Sequence, residues 1–172
     1  MLWWLLLDLP GPVATGQLAD VVAGPGAFDN DDALELLHAL TEQDAVSRRE
    51  TLQRIFRRAR EHDEDLNWTS GPGQVVAGAA VVAAGLATGE AVLREITQRR
   101  YDVAALVIPD NAPELADAAL TALLIAAGRD GAWHQGWIGA GTAPQARGTT
   151  DQLASLCYRY QHRHDQALPL EL

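Results

Sequence analysis

Four acids and a histidine stand within ten residues of one another in the first quarter of this chain: Asp29, Asp31, Asp32, Glu35 and His38. Carboxylates this close together suit a hard divalent cation such as Mg²⁺, which would in turn hold a phosphate substrate. On a helix Asp31 and Glu35 lie one turn apart. Glu35-Leu36-Leu37-His38 has the Glu-x-x-His spacing of di-iron carboxylate bundles, but those sites use two such motifs, and this chain has no second one. The same residues fit a plainer role. An acid or amide just ahead of a helix satisfies free backbone N–H groups, worth about 1 kcal/mol each. Phe28 would then act as the apolar staple at the helix entrance, with the remaining acids on a solvated face or forming a patch for a basic partner.

Further constellations lie toward the C-terminus. Trp133-His134-Gln135-Gly136-Trp137 offers two aromatics in a glycine-rich stretch, fit either to anchor a partner or to plug the end of a bundle. Gly136 to Gly141 reads Gly-Trp-Ile-Gly-Ala-Gly, without the preceding strand or later acid of a dinucleotide site. His162-Arg163-His164-Asp165 places its histidines at i, i+2, on different sides of a helix, which suits a charged helix end better than shared ligation. The single cysteine, Cys157, falls on an apolar stripe and reads as core. One cysteine excludes an internal disulfide and a cysteine-based zinc site, and a reducing cytoplasm is the expected compartment. No Ser/His/Asp or Cys/His arrangement follows from spacing, so catalytic residues, a cofactor and a bound metal are not expected.

The elements that must position these residues are helical. Asp29 or Asn30 caps a first helix whose Ala33, Leu36, Leu37 and Leu40 mark one buried face. Ser47-Arg48-Arg49-Glu50 matches a capping box opening a second helix, with Leu52, Ile55, Phe56 and Ala59 inward. Arg48, Arg49, Arg54, Arg57, Arg58 and Arg60 cover the rest of it, and with Glu50, Glu61 and the acids that follow, Asp63, Glu64 and Asp65, they read as a solvated, self-paired face. A third helix, about 72 to 87, is Ala/Val-rich all round and must be central. A short helix from Glu90 to Arg100, another from Asn111 to about Ala127, a Gly/Trp-rich loop from Gly128 to Gly148 and a last helix from near Thr150 complete the chain. The expected fold is all-α: one compact domain over 1–172, with five to six helices around the Ala/Val-rich one.

The stretch Gly24-Pro25-Gly26-Ala27-Phe28-Asp29-Asn30-Asp31-Asp32-Ala33 resembles the signature Gly-x-Phe-(Asp/Glu)-Asn-Asp-Asp-Ala of DUF4259, a family of small bacterial proteins known as a domain of unknown function. A second resemblance is Leu66-Asn67-Trp68 followed by the run Gly73-Gln74-Val75-Val76-Ala77-Gly78-Ala79-Ala80. The resemblance spans roughly 24–127 and implies a fold family without a chemistry. Here Ala80 replaces a Glu expected from the family, and Val22-Ala23-Gly24-Pro25 replaces its usual Gly-Ala-Trp-Gly.

Composition narrows function. The net charge is −10, with 13 basic residues, all arginine. Such a chain repels phosphate backbones, so nucleic acid is not an expected partner, whereas a basic protein is drawn in. The apolar opening Met1-Leu2-Trp3-Trp4-Leu5-Leu6-Leu7 is closed by Asp8, too short for a membrane span. The reading is a non-catalytic, acidic, protein-binding module, immunity- or antitoxin-like, meeting a basic, toxin-like partner through Phe28, Asp29, Asp31, Asp32, Glu35, Trp133 and Trp137. The alternative is a metal-dependent enzyme or metal-binding protein using Asp29 to His38. Homo-oligomer formation through Trp3, Trp4 or the tryptophan stretch is a third possibility.

Overall fold

In the computed structural model the described residues are 26–61, 71–86, 92, 94, 106, 112–128, 132–139 and 141–165. The apolar opening over residues 1–7, the Leu66-Asn67-Trp68 motif, most of the expected Glu90–Arg100 helix and the tail beyond residue 165 lie outside them. The helices are α1 (Asp31–Thr41), α2 (Ala45–Glu61), α3 (Pro72–Ala84), α4 (Ala112–Ala127), α5 (Ala132–Ile138) and α6 (Ala143–Asp165). Residues 92, 94 and 106 are helical as well, and no strand occurs among the described residues.

α3 sits at the centre. Every residue from Val75 to Ala84 is buried, as is Gly73. Its sequence, PGQVVAGAAVVAA, has no charged residue to leave in water, so only a fully covered position suits it. α1, α2, α4, α5 and α6 all pack against it. Small side chains set the approach distance. A β-carbon at Gly78 would lie 3.2 Å from Leu52 Cδ2 and 3.4 Å from Phe56 Cε1, so α2 seats its two largest apolar residues where α3 has none. α4 also packs extensively against α2 and α6, and Gln161 Nε2 of α6 donates to Asp117 Oδ1 of α4 at 2.9 Å.

The inward stripes follow the helical period. Ala33, Leu36, Leu37 and Leu40 of α1 are buried, as are Leu52, Phe56 and Ala59 of α2. Leu115, Ala119, Ala122 and Leu123 of α4 and Leu153, Leu156 and Cys157 of α6 join the same core.

Two boundaries differ from those expected. α2 begins at Ala45, ahead of Ser47. The cap is Asp44, whose Oδ1 accepts from the Ser47 amide at 2.8 Å. That bond, with further help from the Ser47 hydroxyl, holds the Asp44 carboxyl below its ordinary pKa. The Gly128–Gly148 stretch is largely helical: α5 occupies 132–138 and α6 starts at Ala143, seven residues before Thr150. Glycine density suggested a loop, but Gly136 and Gly148 are tolerated inside these helices, each with open space where a side chain would stand.

Substituting Gly78→Val pushes methyl groups into Leu52 and Phe56. The expected cost is about 1–3 kcal/mol, measured by denaturant unfolding. An unchanged midpoint would show that α2 does not close on α3 at this point.

Candidate functional site

The first turn of α1 is built around Asn30. Its backbone is extended, and its Oδ1 accepts from the Ala33 amide at 2.9 Å. The preceding residues form a turn closed by the Asp29 amide donating to the Gly26 carbonyl at 3.2 Å. This turn drops Phe28 into the core with no exposed surface. The start of α3 interlocks with it. A β-carbon at Gly73 would lie 2.5 Å from Asn30 Oδ1 and 3.0 Å from Asp32 Cβ, so only glycine lets the two helix starts nest. Asn30 Nδ2 is buried there and finds no acceptor among the described residues. Leaving an amide donor unmet opposes folding, so the cap bond and the packing around it must outweigh that cost.

The structure separates the sequence-predicted site residues. Asp31, Glu35, His38 and Glu42 are exposed and follow one another at helical spacing along the outer face of α1. Asp29 and Asp32 are half-buried at the helix start. Phe28 and Trp133, expected as partner contacts, are instead core residues, exposed by 0% and 4%. Because the cap is Asn30 and not Asp29, Phe28 stands two residues ahead of it, one too far for the staple position, and it serves as a core residue instead.

His38 does not turn toward Glu35. Its Nε2 lies 3.7 Å from Glu42 Oε1, a pair whose side chains are 75% and 72% exposed. Among the described residues no three His, Cys, Asp or Glu side chains converge as metal ligands would. The Glu-x-x-His spacing is therefore present without the convergence a di-iron site requires. Glu42 was not singled out from the sequence; its signal is the i, i+4, i+7, i+11 series that begins at Asp31.

The tryptophans pack α5 against its neighbours. Trp133 Nε1 donates to the Ala146 carbonyl of α6 at 3.3 Å. Its ring meets half-buried Trp137 edge-on, with centroids 5.4 Å apart and planes at 73°. This is packing geometry with the indole donor satisfied. Cys157 is wholly buried, and burial pushes its thiol up to about 12. A thiol so protonated has no nucleophilic character at neutral pH. The side chains of His134 and of His162, His164 and Asp165 lie outside the described residues, although the α6 backbone remains helical to Asp165.

Four of the α2 arginines do not pair with the helix's own glutamates as their spacing suggests. Arg48 Nε donates to the Gln43 carbonyl at 2.9 Å. Arg54, Arg57, Arg58 and Arg60 are exposed and make no ion pair among the described residues.

These features define a helical domain whose reactive-looking residues are dispersed over charged helix faces. The DUF4259 profile, a domain of unknown function, matches residues 22–149, and the chain belongs to that family. The match extends beyond the 24–127 span of the recognisable motifs and takes in α5 and the start of α6. No curated protein and no solved structure gives a significant match. No helix among the described residues is long and apolar enough to cross a membrane.

Two outcomes follow. Gly73→Ala separates the starts of α1 and α3, with an expected loss of about 1–3 kcal/mol in chemical denaturation; wild-type stability would refute the nested packing. Cys157 resists a thiol reagent at pH 8 in the native protein and reacts at the free-thiol rate only in denaturant. Rapid native labelling would contradict its burial.

Proposed function

We propose that this protein is a non-catalytic binding module that engages a basic partner protein through the acidic outer face of α1. Its concrete form is an immunity- or antitoxin-like protein of the bacterial cytoplasm. The observation that carries the reading is that Asp31, Glu35 and Glu42 stand exposed in one line and that, among the described residues, no arginine neutralises them. A rigid helix pinned to the core by Leu36, Leu37 and Leu40 presents that line without a conformational cost. The net charge of −10 adds a long-range field that steers a cationic surface toward it. Dispersal of the carboxylates favours this reading over metal-assisted chemistry, which needs them convergent.

Capture from the native cell, with and without EDTA and read by mass spectrometry, is expected to yield a stoichiometric basic protein in both. Its association rate should fall with added salt. The D31R/E35R/E42R variant should slow it by about tenfold or more. A salt-independent association rate, or a rate unaffected by the charge reversal, would contradict the proposal.

A further inference from the structure

α2 concentrates charge of the opposite sign. It holds six arginines against two glutamates in 17 residues, whereas the whole chain has 13 basic residues and a net charge of −10. Leu52, Phe56 and Ala59 fix its inner face to the core, so the polar side cannot rotate inward. Arg54, Arg57, Arg58 and Arg60 point to solvent. Glu50 stands one turn before Arg54 and Glu61 one turn after Arg57, the spacing at which helical neighbours neutralise each other. Neither pairing forms among the described residues. Among the described residues these guanidinium groups thus have no carboxylate partner, in a chain that has acids in excess.

We propose that the outer face of α2 is a second docking surface, which takes a short carboxylate-rich segment of a partner protein. Arginine presents paired N–H donors that match a carboxylate in a fork, and successive arginines one helical turn apart match acids repeated along an extended or helical segment. Exposed Val46, on the same side of α2 as Glu50 and Arg54, adds an apolar foothold at the start of the stripe. Partner length follows from charge balance. Screening confines the influence of a surface charge to roughly 8 Å at physiological salt, so a short acidic segment meets mainly the arginines. A long polyanion such as nucleic acid extends past them into the acidic remainder and is repelled. The surface is distinct from the α1 stripe and does not rest on the function proposed for it.

The test uses the full chain, fluorescence anisotropy, a labelled Glu/Ala peptide and a single-stranded oligonucleotide of matched length and charge. The peptide is expected to bind in preference to the oligonucleotide at physiological salt. R54E/R57E/R58E should weaken peptide binding by about tenfold or more. R94E/R147E/R159E alters the net charge equally at exposed arginines outside α2 and should leave most of the affinity intact. Thermal melts check that each variant is folded, and Arg57→Glu alone serves if the α2 triple variant is not. The proposal is overturned if the peptide does not bind, if the oligonucleotide is preferred, or if both arginine triple variants weaken binding equally. It is also overturned if sizing shows the α2 face occupied by a second copy of this chain.

Discussion

A helix without a polar side constrains every other element of this protein. α3 has nothing that water can solvate along Val75 to Ala84, and it is stable only where neighbours cover it all round. Its residues are also small, so the covering helices come close, and dispersion contacts replace the volume that larger side chains would supply. Gly78 receives Leu52 and Phe56, and Gly73 receives the capped start of α1. Single methyl groups at these points decide whether the neighbours seat.

Because α1 commits one stripe to α3, and α2 commits one to α3 and α4, the opposite sides are fixed outward. That fixes where the charges go. α1 displays Asp31, Glu35 and Glu42, and α2 displays Arg54, Arg57, Arg58 and Arg60. Charges held on rigid helices at set spacing contribute little to stability when exposed, yet they give direction and rate to encounters with a charged partner. Residues that looked chemically promising are used to build the frame: Phe28 and Trp133 fill the interior, Asn30 caps α1, and Cys157 is a protonated core thiol. Among the described residues, α1 and α2 thus present surfaces of opposite sign.

The frame was readable where periodicity is strong. The apolar spacing of α1 and α2 and the unbroken apolar run of α3 predict their helicity and most of their buried residues, although Ile55, expected inward, is only half-buried. Between Gly128 and Gly148 glycine density predicts a loop, yet α5 and α6 accommodate the glycines. Pro144, in the first turn of α6, was the available start signal. Aromatic placement was not legible either, because Phe28 and Trp133 suit an anchor and a plug equally until tertiary neighbours are known. The arginine face shows the same limit. Spacing told which arginines and glutamates share a side, but not that their side chains stay apart.

Native-state hydrogen exchange along α3 tests its central position most directly. If the other helices all depend on covering it, the amides from Val76 to Ala84 exchange only through global unfolding, with a common free energy that equals the stability from denaturant. Exchange of these amides by local opening, at a free energy well below that of α1 or α4, would contradict the account.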